Sequence, residues 1–291
     1  MRRETLGVAG DPVVSVELDR AAVLLQEAGV PDPRREALVL LSELMGSTPG
    51  AVAAGRTPAL RESDLVGFHQ AVERRAAGEP RQYVVGTVGF RRLILRCDRR
   101  ALIPRPETEG LIDLALRHQP EGRALDLGTG SGCLALALAD EGRYGEVVGV
   151  DRSQGALDLA RSNAETVGLR VRWLLGEWAE PVRGERFDVI VTNPPYIASA
   201  ELAGLDASVR EWEPVLALDG GPDGLAAVGS ILAEVPLVLR RGGWLFMEVD
   251  AARAPVTAEL ARTRGWSAVQ VLDDLYQRPR YLAARWESDH A

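Results

Sequence analysis

The tetrapeptide Asn193-Pro194-Pro195-Tyr196 follows an apolar run, Phe187-Asp188-Val189-Ile190-Val191-Thr192. Its two prolines fix backbone torsions and donate no hydrogen bond, so they hold the Asn193 side chain and the Pro194 carbonyl as a rigid pair of acceptors. Two acceptors match the two N–H bonds of one planar NH2 group. An amide nitrogen is a poor nucleophile because its lone pair is delocalised into the carbonyl. Hydrogen bonds that draw on both N–H groups favour a more nucleophilic geometry and aim the nitrogen at an electrophile. Tyr196 supplies a flat face for the planar group and for positive charge beside it. The plainer reading is a proline turn after a strand. None of the three histidines, His69, His118 and His290, is near the motif, so the chemistry it suits is direct displacement without a dedicated strong base.

A second motif, Asp126-Leu127-Gly128-Thr129-Gly130-Ser131-Gly132, ends one strand-like run and opens a helical one. Glycines at such a turn let backbone approach a ligand at the carboxyl edge of an open sheet. The dinucleotide pattern G-x-G-x-x-G fits poorly, because its sixth position is Cys133 and Gly132 comes one residue early. The next strand-like run ends at Asp151, a carboxylate able to accept hydrogen bonds from both ribose hydroxyls of an adenosine. Trp178, after the third run, is placed to pack near an adenine ring or, equally, in the core.

The elements that must position these residues alternate. Strand candidates are Arg123 to Leu127, Val147 to Val150, Val171 to Leu175, Phe187 to Thr192, Trp244 to Val249, Ala268 to Leu272 and Arg280 to Arg285. Helical stretches, Leu134 to Asp140, Ala156 to Thr166 and Leu225 to Leu239, separate several of them, which predicts an α/β doubly wound parallel sheet. Residues 1–80 read instead as helices. One ends at Gly29, one starts with Asp32 as N-cap and Pro33 at the first helical position, and one ends at Gly78-Glu79-Pro80. Between the two regions, 81–105 read as short strands or a hairpin, with Tyr83, Val84 and Val85 in the first of them.

The chain has 291 residues, long enough for a catalytic domain and a smaller companion. No apolar run is long enough to span a bilayer, and Met1 to Glu17, with Glu4, Asp11 and Glu17, lacks the character of a secretory or transit segment. A cytoplasmic protein is expected. Cys97 and Cys133 have no spacing that suggests a disulfide framework or a zinc site. A net charge of -8 disfavours a protein devoted to nucleic-acid phosphate. One basic strip, Arg91, Arg92, Arg96, Arg99, Arg100 and Arg105, remains as a possible phosphate track or a solvated hairpin face.

These motifs resemble the bacterial release-factor glutamine methyltransferase family (HemK/PrmC). The resemblance covers nearly the whole chain. It is carried by Gly78-Glu79-Pro80 with Tyr83 and Gly86, by Leu102-Ile103-Pro104-Arg105-Pro106-Glu107-Thr108-Glu109, by Asp126 to Gly132 and by Asn193 to Tyr196. It continues through Glu213-Pro214, Ala217-Leu218 and Gly220-Gly221-Pro222-Asp223-Gly224-Leu225. The Ile-Pro-Arg-Pro-Glu-Thr-Glu stretch is the most specific of these.

The resemblance implies a class I S-adenosylmethionine-dependent methyltransferase fold, Rossmann-like with a seven-stranded, mostly parallel sheet. It implies three regions: a helical substrate-recognition domain at 1–80, a β-hairpin connector at 81–105 and a catalytic domain at 106–291. The reaction implied is methyl transfer to the side-chain amide nitrogen (N5) of the glutamine in the Gly-Gly-Gln motif of class 1 peptide chain release factors. S-adenosylmethionine would be held by Gly128, Thr129, Gly130, Ser131, Gly132, Asp151, Trp178 and Asn193, would leave as S-adenosylhomocysteine, and no metal would take part. Asn193, Pro194, Pro195 and Tyr196 would hold the target glutamine. Pro104 to Glu109 would shape the active-site wall, with Arg105 in a salt bridge to Glu107 or Glu109. A monomer without stable nucleic-acid or membrane binding is expected. Asp250 and Arg253 stand where the family usually has Gly and Gln, and Tyr276-Gln277-Arg278-Pro279 replaces a Gly-containing loop. A glutamine methyltransferase of a ribosomal protein and, more distantly, an adenine-N6 nucleic-acid methyltransferase are the alternatives, while a non-enzymatic adapter is disfavoured because every position the chemistry needs is filled.

Overall fold

The structure is a computed structural model that describes residues 12–58 and 60–288. Glu4, Asp11 and His290 lie outside the described residues. The chain separates into two units, Met1–Gly86 and Thr87–Ala291.

In the first unit, α1 (Pro12–Glu27), α2 (Pro33–Leu44) and α4 (Glu62–Ala76) bury the stripes that their spacing predicts. Leu18, Ala21 and Leu25 meet Ala37, Leu40, Leu41, Phe68 and Val72 in one core. A short α3 (Pro49–Ala53) lies between α2 and α4, capped by the Thr48 hydroxyl, which accepts from Ala51 N at 3.2 Å. Two local expectations are corrected. Asp32 precedes α2 but stands in the left-handed region (φ 46°), from which its side chain makes no capping hydrogen bond. Residues Arg81–Val85 form a helix, α5, and not a strand. Tertiary contacts override the β-branched composition there: Val84 is buried in the helical core, and Arg74 donates to the carbonyls of Tyr83 and Val84 while pairing with buried Glu79. That web also accounts for the Gly78-Glu79-Pro80 motif. α5 ends at Gly86, whose φ of 81° suits glycine.

The second unit opens with a hairpin, β1 (Thr87–Phe90) and β2 (Leu93–Arg96). A 3-10 turn at Pro106–Glu109 leads into α6 (Gly110–His118). Then come β3 (Glu121–Leu127), α7 (Cys133–Glu141), β4 (Arg143–Asp151), α8 (Gln154–Val167), β5 (Arg172–Leu175) and β6 (Phe187–Thr192). After a short α9 (Ala207–Arg210) follow α10 (Ala226–Glu234), β7 (Leu239–Glu248), α11 (Ala254–Thr263), β8 (Ser267–Asp273) and β9 (Pro279–Arg285). Seven strands form one sheet in the order β5-β4-β3-β6-β7-β9-β8. Pairs from β5 to β7 are parallel, and β9 runs antiparallel to both its neighbours.

Both faces of the sheet are buried, as the nearly unbroken apolar strands require. Leu125, Val148, Val150 and Ile190 pack with Val228, Ile231, Leu232 and Ala258 of α10 and α11. The alternate residues Ala124, Val147, Val189 and Val191 pack with Leu111, Ile112, Leu136 and Ala164 of α6, α7 and α8. The hairpin belongs to this unit: Phe90 and Leu95 share the second core, and the Asn163 carboxamide on α8 bonds the backbone of both Arg96 and Ser131. The chain lays down β3, β4 and β5 toward one edge, then returns to place β6 on the other side of β3. A crevice opens at the carboxyl ends of β3 and β6, where open α/β sheets bind ligands. Among the described residues no helix is long and apolar enough to cross a membrane.

Candidate active site

A cavity of about 530 Å³ occupies that crevice. Of the residues singled out in the sequence, Gly128, Thr129, Gly130, Ser131, Asp151, Trp178, Asn193 and Pro195 line it. Leu102 to Arg105 and Thr108 form another part of its wall; of the stretch Pro104 to Glu109, Pro104, Arg105 and Thr108 line it and Pro106, Glu107 and Glu109 do not. Gly132, Pro194 and Tyr196 are not among the residues that line it.

The glycine turn is built by hydrogen bonds to its own strand ends. Thr129 donates its amide to Val150 O (2.9 Å) and its hydroxyl to Asp126 Oδ2 (2.5 Å), which also accepts from Ala135 N. Gly128, Gly130 and Gly132 all have positive φ, of 68°, 55° and 83°. A Cβ at Gly128 or Gly130 would meet only ordinary contacts, at 3.6 and 3.8 Å, so these two leave room toward the cavity. Gly132 differs, since a Cβ there would lie 2.9 Å from Trp173 and 3.1 Å from Ala160. It lets α8 and the Trp173 ring close on the turn.

Asp151 is 8 % exposed, with one oxygen accepting Gly130 N and the other Ser153 N, each at 2.8 Å. Each oxygen keeps a further lone pair for another donor. Burial holds its pKa above the usual carboxylate range, against the lowering effect of those two amides. Burial likewise pushes Asp126 up to about 7. Its second oxygen, Oδ1, has no hydrogen-bond donor among the described residues. Trp178 sits at φ 45°, rare for a residue with a side chain. It both lines the cavity and packs against the core below.

Asn193 leaves the end of β6 with Nδ2 donating to Thr108 Oγ1 at 3.1 Å, and the Thr108 hydroxyl donates to Glu248 Oε2 at 2.7 Å. The Tyr196 hydroxyl approaches the other oxygen, Glu248 Oε1, at 3.4 Å. Glu248 is 2 % exposed, and burial raises its pKa. Sequence reasoning placed Thr108 only within the Pro104 to Glu109 wall and missed Glu248, whose one signal was a carboxylate ending an apolar strand, too common a feature to single out.

The backbone past Tyr196 is clasped by the glycine-rich stretch 220–224. Ile197 and Ser199 donate to Leu218 O and Gly221 O, and Gly220 donates to Ile197 O. A Cβ on Gly220 would lie 2.8 Å from Pro195 O, and one on Gly224 (φ 76°) 2.4 Å from Tyr196 O. The glycines are there for close approach. Arg253 braces this loop, with its guanidinium donating to Asp223 O, Asp250 and Glu201 at 2.7–2.8 Å. The two departures, Asp250 and Arg253, thus act together as one structural tie.

Arg105 pairs with Glu213 at 2.5 Å, which corrects the expected bridge to Glu107 or Glu109. Glu213 is 4 % exposed and also accepts from Ile103 N. Glu107 faces Arg278, and Glu109 accepts from Arg91 N. The basic strip is largely engaged: Arg91 with Asp113 and Glu141, Arg100 with Asp98, Arg105 with Glu213, and Arg99 over the Trp212 ring at 3.8 Å. Among the described residues no group of three or more His, Cys, Asp or Glu is placed to hold a metal ion.

The chain is similar to known proteins. Residues 108–210 match a family described as "Methyltransferase small domain", and residues 18–86 match "PrmC N-terminal domain". A methyltransferase from Pyrococcus furiosus superposes on 67 % of this chain and 90 % of its own, with TM-score 0.52 at 20 % identity. The fold is that of class I S-adenosylmethionine-dependent methyltransferases. The chain is 42 % identical to the release factor glutamine methyltransferase of Geobacter sulfurreducens, over 81 % of this chain and 84 % of that one. Against the Deinococcus radiodurans protein of the same name it is 40 % identical, over 92 % and 96 %. It belongs to the release factor glutamine methyltransferase family.

Proposed function

We propose that this chain transfers a methyl group from S-adenosylmethionine to N5 of the glutamine in the Gly-Gly-Gln motif of class 1 peptide chain release factors. The observation that carries the reading is that Asn193 and Pro195, just past the end of β6, line one cavity with the glycine turn and Asp151. The names of the relatives supply the substrate.

The cavity suits the methyl donor chemically. Asp151 offers two acceptor positions for ribose hydroxyls, and Gly128 and Gly130 leave space beside the chain. Gly128, Thr129, Gly130, Ser131, Asp151 and Trp178 hold the donor in this reading, with Gly132 shaping the turn from behind. When bound, S-adenosylmethionine supplies an electrophilic methyl group on a sulfonium sulfur. Asn193 Oδ1 and the Pro194 carbonyl accept from the two N–H groups of the glutamine amide and hold its nitrogen in line. The N-methylated amide sheds its extra proton to solvent, so no strong base is needed and no metal takes part. The Tyr196 ring flanks the planar amide. S-adenosylhomocysteine is the second product.

In the same reading the unit Met1–Gly86 recognises the release factor, and the protein works as a cytoplasmic monomer. The engaged state of the basic strip argues against a nucleic-acid substrate. The test is labelled donor offered to a release factor, a ribosomal protein and DNA in parallel. Label on the release factor is expected, and label on DNA alone would overturn the reading. Asn193→Ala should abolish turnover while binding the donor normally; near-full activity would refute the acceptor role.

A further inference from the structure

We infer that Glu248 is a positioning residue that, through Thr108, dictates which atom of the Asn193 carboxamide is presented to the substrate. The inference deepens the proposed reaction and rests on the reading that Asn193 accepts from an NH2 group. Three separate elements meet here: Glu248 ends β7, Thr108 lies in the 3-10 turn before α6, and Asn193 follows β6.

The argument is a count of hydrogens. An ionised carboxylate only accepts, so the single hydroxyl hydrogen of Thr108 is committed to Glu248 Oε2 at 2.7 Å. Thr108 Oγ1 can then only accept from Asn193, 3.1 Å away, and the carboxamide must offer Nδ2 to it. Oδ1, in the same plane but on the other side of the Cβ–Cγ axis, is left as the acceptor. Without such a relay the two faces of a carboxamide differ little in shape, and the flipped form would set an NH2 donor against the substrate's own NH2.

The relay reverses on protonation. A neutral Glu248 can donate to Thr108, whose hydroxyl is then free to donate to Asn193 Oδ1, turning Nδ2 outward. Burial above all, and Glu107 beside it, disfavour the ionised form of Glu248, while the Thr108 hydroxyl, Arg280 and the Tyr196 hydroxyl favour it. Tyr196 is tied to the same carboxylate, so one buried group orients both ends of the tetrapeptide.

The test uses the full-length protein with labelled S-adenosylmethionine and a release factor. Thr108→Val keeps shape and removes the hydroxyl. It should lower kcat on the order of 100-fold and leave the donor Kd within threefold, and Thr108→Ser should restore most of the rate. In the wild type kcat should fall as pH drops through the Glu248 titration, and Glu248→Gln should be slow at every pH and lose that acidic limb. A substrate-free readout is the side-chain amide NMR signal of Asn193, with hydrogen exchange slowed in the wild type and fast in Thr108→Val. Wild-type kcat in Thr108→Val, or failure of Thr108→Ser to recover while folded, would overturn the inference. If the wild type fails to methylate the release factor, the parent reading falls instead, and the NMR signal still decides how Asn193 is oriented.

Discussion

Replacing Asp151 by Asn tests the donor half of the site. Both carboxylate oxygens already accept a backbone amide, Gly130 N and Ser153 N, at 2.8 Å. An asparagine can satisfy one of them and must turn its NH2 toward the other. It also offers one acceptor where two ribose hydroxyls are to be held. A hydrogen bond to a charged group contributes about 1.5–3 kcal/mol, so losing one weakens donor binding roughly 10- to 150-fold. The facing donors at Gly130 or Ser153 add a stability loss of about 1–3 kcal/mol. Isothermal titration with S-adenosylhomocysteine reads the first effect and a urea melt the second. At saturating donor kcat should stay near the wild-type value, because Asp151 hangs from β4 and the nitrogen is held at β6. The raised pKa of Asp151 gives a further signature: donor affinity should weaken as pH falls through its titration, and the variant should lack that limb. A Kd within threefold of the wild type would refute the reasoning.

Gly224→Ala places a Cβ 2.4 Å from Tyr196 O in a left-handed backbone, so it should cost about 1–3 kcal/mol and lower kcat with donor affinity kept, as melts and kinetics would show. Arg105→Ala strands the buried Glu213 carboxylate and should destabilise by about 3 kcal/mol, a loss that Arg105→Ala with Glu213→Gln partly recovers in denaturant titrations. Asp126 is raised from 3.8 to about 7 in the folded protein. Its contribution to stability is therefore full below about pH 4 and is lost as pH rises through about 7. Asp126→Asn should gain on the wild type, unliganded, across that window, measured by urea melts at pH 5 and 8.

Most strands were legible because they are buried on both faces and read as short apolar runs bounded by turn residues. Phe187 to Thr192 coincides with β6, and Asn193 to Tyr196 falls just past its end. The misses have physical causes. Tyr83, Val84 and Val85 carry strand propensity, yet Arg74 and the helical core hold them in a helix. Arg105 seemed destined for an acid two or four residues away, but that segment is extended and then turns as a 3-10 helix, and the partner is Glu213, 108 residues on. The link from Thr108 to Glu248 spans 140 residues and is created only by the sheet order. Gly132 was grouped with its neighbours as a ligand contact, and only the position of Trp173 reveals its packing task.

The return of the chain from β5 to β6 gives the protein a heritable division of labour. What is assigned to the donor on the sheet hangs from residues 121–178, and the tetrapeptide that meets the nitrogen follows at 193–196, braced by Thr108 and Glu248. The joint between them, 180–186, is a short connection at the opposite end of β6 from the cavity. A genetic exchange falling in that joint would pass on the capacity to deliver a methyl group intact while replacing what receives it.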